Sequence, residues 1–160
     1  MAKEKFPVTP AIRLLRAEQV AFTPHLYGYE EHGGTAVSAR ELGVEEHTVI
    51  KTLIMENEHQ EPLIVLMHGD RQVSTKELAR QIGAKTISPC APATADRHSG
   101  YQVGGTSPFA TRKAMPVYIE ETILALPQIY INGGKRGFLV AIAPQELRRV
   151  LKPTSVSVAI

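Results

Sequence analysis

The chain of 160 residues has no tryptophan, only nine phenylalanines and tyrosines, and a single cysteine, Cys90. One cysteine excludes an intramolecular disulfide framework and any cysteine-rich zinc module. Cys90 lies in SPCAP, between two prolines with no basic neighbour to lower its pKa, and reads as a small apolar or loop residue rather than a nucleophile. No apolar run reaches the roughly 20 residues that span a bilayer. The opening MAKEKFPVTP has no signal-peptide apolar stretch, so the expected compartment is the cytoplasm, with no membrane partner. Several chemistries are missing too. There is no GxGxxG, no GxxxxGK[ST] and no GxSxG. The six histidines, at positions 25, 32, 47, 59, 68 and 98, show no metal-ligand spacing, so neither metal nor cofactor is expected.

What is present is ordinary for a globular protein, with 43% hydrophobic and 21% charged residues. The length suits one domain over residues 1–160, large enough to bury a core without staples. The net charge of +2 hides an asymmetry: residues 1–80 carry −3 and residues 81–160 carry +5. Such a division fits one basic face for a polyanion, and it equally fits charges scattered over the surface.

Periodicity and punctuation alternate helices with strands. Thr9-Pro10 supplies an N-cap and first helical position, followed by Ile12, Leu14, Leu15 and Val20. Residues 22–29, FTPHLYGY, read as a strand. Ser38 with Glu41, and Ser74 with Glu77, have capping-box spacing, and Gly43 and Gly83 supply the stops. Residues 48–55 (TVIKTLIM) and 62–67 (PLIVLM) are two strong strands joined as a hairpin by ENEHQE. Further strands are expected at 115–119, 128–131 and 138–142, and a last helix from Pro144 to Leu151. The fold class is mixed α/β.

Three features carry candidate chemistry. Lys51 sits inside an apolar strand on the face of Val49 and Leu53, so it must reach solvent at an edge or have its charge matched in a cleft. Residues 100–108, GYQVGGTSP, contain a glycine pair that can present backbone amides to an anion or oxyanion, or can simply turn the chain. In NGGKRG, Asn132-Gly133 is a hairpin-turn signal, and Lys135-Arg136 would place two cations at its tip, for solvent or for phosphate.

Together, and in this order, TPAIRLL, VIKTL, GYQVGGTSP and IYINGGKRG resemble the YbaK family of aminoacyl-tRNA deacylases. The chain is similar as well to the editing domain inserted in bacterial prolyl-tRNA synthetases. The resemblance spans roughly residues 9–152. It implies a single aminoacyl-tRNA editing domain with a mixed, mainly antiparallel sheet flanked by helices. The implied activity is hydrolysis of the ester in mischarged tRNA, closest to Cys-tRNA(Pro) deacylation, with prolyl-tRNA synthetase as an optional partner. No enzyme nucleophile is implied; the substrate thiol would cyclise onto the carbonyl, a lyase-like step, while the protein orients the ends.

Carried across, Lys51 would hold the adenosine end, and Gly104, Gly105, Thr106, Ser107 and Pro108 would form the loop that grips the ester. Tyr27 would lie near the substrate, as would Asn132, Gly133, Gly134, Lys135 and Arg136. Two positions depart from the pattern: Asn132 stands where relatives have serine, and Leu139 where they have aspartate. Two rivals follow. One is a non-catalytic module that binds tRNA ends or nucleotides; the other is a deacylase for alanine or serine.

Overall fold

The computed structural model describes residues 5–160; residues 1–4, part of the opening read for its lack of a signal stretch, lie outside them. The described residues form five α-helices: α1 (Pro10–Ala17), α2 (Gly34–Leu42), α3 (Thr75–Ile82), α4 (Pro92–Ser99) and α5 (Pro144–Leu151). The strands are β1 (Thr23–Leu26), β2 (Val49–Asn57), β3 (Pro62–His68), β4 (Ile87–Pro89), β5 (Val117–Glu120), β6 (Ile129–Lys135), β7 (Phe138–Ile142) and β8 (Thr154–Val156). They form one mixed sheet in the order β1-β7-β6-β2-β3-β5-β8, with β4 paired to the far end of β2. The pairs β1/β7, β2/β3, β2/β4 and β6/β7 are antiparallel, whereas β2/β6, β3/β5 and β5/β8 are parallel. Among the described residues no helix is long and apolar enough to cross a membrane.

Period-two alternation places the core on both faces. Ile50, Ile54, Ile64, Leu66, Ile131 and Val140 meet Ile12 and Leu15 of α1, Leu147 of α5 and Phe109. On the other face Leu63, Val65 and Met67 pack on Leu78 of α3, while Val49 and Leu139 meet Ala39 of α2. Each such side chain contributes about 1.5–3 kcal/mol when fully buried. A one-residue slip of β2 would drive Lys51 into the core, so the register from Ile50 opposite His68 to Glu56 opposite Pro62 is strongly specified.

Local signals succeed where backbone chemistry is unambiguous. The Thr9 and Ser74 side chains accept from the Ile12 and Glu77 amides, and Gly43 and Gly83 close their helices in the left-handed region. Two expectations fail. Ser38 is not a cap: α2 begins after Gly33, and the Ser38 hydroxyl donates to Thr35 O at 3.1 Å inside the helix. Asn132-Gly133 is not the hairpin turn: β6 continues to Lys135, which pairs with Phe138, so Arg136-Gly137 makes the turn, with Gly137 at φ 77°. The sequence reading also missed β4, α4 and β8, each eight residues or shorter.

Candidate active site

The two glycine motifs meet at the tip of the β6–β7 hairpin. Thr9, at the head of α1, donates its hydroxyl to Gly133 O at 2.5 Å, seating the helix on β6. Asn132 is 9% exposed and occupies a bulge; its Oδ1 accepts from the Gly134 and Lys135 amides at 2.7 and 3.1 Å. Its Nδ2 donates to Gly104 O at 3.3 Å. One side chain therefore shapes β6 and fastens the other glycine loop to it.

The missing side chains at these glycines leave room for the protein itself. A Cβ at Gly105 would lie 2.6 Å from Arg136 N, one at Gly133 2.5 Å from the Phe138 ring, and one at Gly134 2.8 Å from Tyr101. Gly104 combines φ 94° with a Cβ position 2.7 Å from the Tyr29 hydroxyl. Tyr101, whose phenol burial pushes up to about 12, donates to Phe109 O at 2.5 Å and ties the loop ends together. Ser107 is fully buried, its Oγ accepting from Phe109 N at 3.1 Å, and Pro108 is buried beside it. Neither side chain faces solvent. The Gly105 amide is used in a turn to Gln102 O at 2.7 Å, while the Thr106 and Ser107 amides have no acceptor among the described residues.

Lys51 stands one strand away. Val49 pairs with Tyr130 and Ile50 with Ile131, so Lys51 and Asn132 come next along two parallel strands, on the same face. There the pairing stops: β6 bulges, and β2 finds its next neighbour on that side only at Met55, opposite Pro89 of β4. A crevice beyond the carboxyl end of a parallel strand is the usual ligand position in open α/β sheets. The Lys51 ammonium donates to Arg71 O at 2.5 Å. Desolvation lowers its pKa, and Glu46 and Asp70 oppose that shift by favouring the charge. Asp70 also accepts from His47 Nδ1 at 2.8 Å, and the His47 ring stacks on His68 at 3.7 Å.

Tyr27 packs by Ala39, Val49 and Leu139; burial raises its pKa, and the Gly137 backbone and Ser38 side chain only partly oppose that shift. Leu139 lies directly opposite Asn132, so this part of the site is apolar where an aspartate was looked for. Lys135 is exposed. Arg136 is half-buried and committed, its Nε donating to Val103 O at 2.9 Å and its guanidinium lying over Tyr29. The two cations of the hairpin tip thus differ in kind.

Sequence reasoning missed Thr52. Its Oγ1 is buried with no hydrogen-bond partner among the described residues, next in the chain to Lys51. Orphaned buried hydroxyls are rare and often mark ligand positions. Threonine is so common in strands that no sequence signal separates this one. A concavity of about 760 Å³ lies instead by the β2–β3 turn and is lined by Glu58, Glu61, Ile82 and Tyr118. It gathers none of the motif residues. Cys90 is half-buried near Glu56, and burial pushes its thiol up to about 11, so it stays protonated and unreactive.

Residues 30–150 match the aminoacyl-tRNA editing domain. The chain belongs to that family. It is 28% identical over 149 residues to EbsC of Enterococcus faecalis, provisionally named a Cys-tRNA(Pro)/Cys-tRNA(Cys) deacylase, covering 92% of this chain and 91% of that one. It is 32% identical over 83 residues to a proline–tRNA ligase of Thermodesulfovibrio yellowstonii, 52% of this chain but 13% of the ligase. The fold also matches a crystal structure provisionally named a trans-editing enzyme for prolyl tRNA synthetase, with TM-score 0.81, 19% identity and coverage of 96% and 99%. The mixed α/β fold read from sequence is the fold of that solved structure. Deacylation of aminoacyl-tRNA is the activity of the family.

Proposed function

We propose that this editing-family chain acts in trans, as one domain over residues 1–160, and removes cysteine from tRNA(Pro) in the cytoplasm. The observation that carries the reading is the junction at Asn132, which sets the Gly104 loop beside Lys51 where β2 and β6 part. The identity to EbsC supports the choice of cysteine.

Orientation does the chemistry. The Thr106 amide, which has no acceptor among the described residues, points to an oxyanion site for the ester carbonyl. Lys51 exchanges Arg71 O for the substrate's ribose or phosphate, and the orphaned Thr52 hydroxyl gains a partner. The cysteine thiol of the substrate attacks its own carbonyl carbon. A carbon–sulfur bond forms, the bond to the ribose oxygen breaks, and the thiol proton passes to that oxygen. Water then opens the four-membered thiolactone to free cysteine. No enzyme thiol or hydroxyl takes part.

The test is a deacylation panel with cysteine, alanine, serine and proline charged onto the same tRNA(Pro). Cysteine should be released fastest. Equal rates for alanine or serine would transfer the reading to another amino acid. Tight binding of all four without turnover would replace it with a binding module, which the apolar Leu139 favours by offering no carboxylate for the amino group. Adding prolyl-tRNA synthetase to the same panel shows whether that partner is needed.

A further inference from the structure

Tyr29 belongs to none of the motifs, yet it organises the outer edge of the site. The Arg136 guanidinium lies 5.0 Å from its ring centroid, and the Tyr29 hydroxyl abuts Gly104. The bond from Arg136 Nε to Val103 O fixes the plane of the cation. No carboxylate among the described residues is in salt-bridge reach of that cation. Val103 beside it keeps 40% of its surface exposed, one of four large apolar side chains so exposed among the described residues. An oriented guanidinium on an aromatic ring, flanked by an open isopropyl group, is the surface on which proteins stack nucleobases.

Its position agrees with the substrate. Val103 and Thr106 are three residues apart, at most about 11 Å in an extended chain. The turn from Gly105 N to Gln102 O brings them closer. A base attached to the ribose whose ester rests on the Thr106 amide must fall within that radius. We propose that Tyr29, Arg136 and Val103 form a stacking ledge for the terminal adenine of the tRNA, with Arg136 as the contacting plane and Tyr29 as its support. The placement rests on the deacylase reading; the affinity for a purine base does not.

Binding of AMP and of ribose 5-phosphate to the whole protein, followed by calorimetry or by NMR shifts up to about 10 mM, tests the ledge. Wild type should bind AMP about tenfold more tightly than the base-free sugar phosphate. Tyr29→Leu should erase that preference, and Tyr29→Phe should keep it. Arg136→Lys retains the charge without the plane and should lose the preference as well, which serves if Tyr29→Leu does not fold. Equal binding of the two probes to wild type, no AMP binding at all, or a preference that survives in the folded Tyr29→Leu or in Arg136→Lys overturns the ledge. Failed deacylation with an intact adenine preference would sink the proposed function and leave the ledge standing. Deacylation without any preference would do the reverse.

Discussion

Lys51 and Thr52 are adjacent residues on opposite faces of β2, and each is anomalous in its own way. The lysine is a cation on an apolar strand, held by a carbonyl; the threonine has a buried hydroxyl held by nothing. Lys51→Ala should lower turnover at saturating substrate by about 100-fold, the order found when one stabilising donor is removed. Its melting temperature should stay close to wild type, since the ammonium is half-exposed. A folded Lys51→Ala with wild-type turnover would remove the lysine from the site. Thr52→Val should separate stability from function. Replacing an unsatisfied hydroxyl by a methyl should leave urea stability unchanged or raise it by about 1 kcal/mol, while deacylation slows. Thr52→Val with full activity would make the orphan a packing accident. Cys90→Ala should change neither quantity, and lost activity there would sink the substrate-assisted route. At this scale Lys51 was legible because a charge interrupts an apolar pattern. Thr52 was not, because its distinction is a partner it lacks in three dimensions. Ser107 and Pro108 were read as part of the loop that grips the ester, and both are buried; the sequence of a glycine loop does not tell which way its side chains turn.

The β6–β7 hairpin and the Gly104 loop form one unit, and it too was only partly visible beforehand. The motifs were legible as glycine-rich loops, but the reason for their glycines was not. They leave space for Arg136, Phe138 and Tyr101, contacts made across about 30 residues of chain or more at Gly105 and Gly134. Gly105→Ala would press a methyl to 2.6 Å from Arg136 N, and should destabilise by about 1–3 kcal/mol in urea unfolding. An unchanged midpoint would mean the loop can retreat from the hairpin. The two basic residues of the turn should also separate. Lys135→Ala, which removes an exposed cation, should flatten the salt dependence of tRNA binding by about one ion-release unit and spare turnover of bound substrate. Arg136→Ala should reduce turnover as well, because it frees Val103 O and the loop behind it. Identical salt slopes for wild type and Lys135→Ala would leave that cation as solvated decoration. The Ser38 misreading belongs to this scale. A Ser-x-x-Glu spacing marks a helix start only if the helix has not already begun, and Gly33 had begun it five residues earlier.

Across the whole molecule, His68 links the sheet to the segment after β5. It is 1% exposed, its Nδ1 lies 2.8 Å from His47 O and its Nε2 2.7 Å from the Thr122 hydroxyl. Facing a carbonyl, Nδ1 must donate, so in the neutral ring Nε2 accepts from Thr122. Burial lowers its pKa; the bond to the His47 carbonyl opposes this in part, the His47 ring adds repulsion, and Asp70 and Glu120 favour the charge weakly. The folded protein therefore binds fewer protons than the unfolded chain as pH falls below the ordinary imidazole value of about 6.5. Stability should be full above that value and decline below it. His68→Gln, less stable at pH 7, should show a flatter decline in urea titrations between pH 7 and 5; an unchanged slope would assign the acid sensitivity elsewhere. Six of the eight strands and the central hairpin were legible from alternation, whereas the sheet order was not, because β1 pairs with β7 through residues as distant as Thr23 and Ala141. That pairing bears on synthesis. The edge strand made first waits for a partner made near the end, and Thr9 waits likewise for Gly133. Closing such long loops is slow and comes late. A nascent chain still lacking its β6–β7 hairpin would lack the proposed ester site, so editing would begin only once residues 129–142 have left the ribosome.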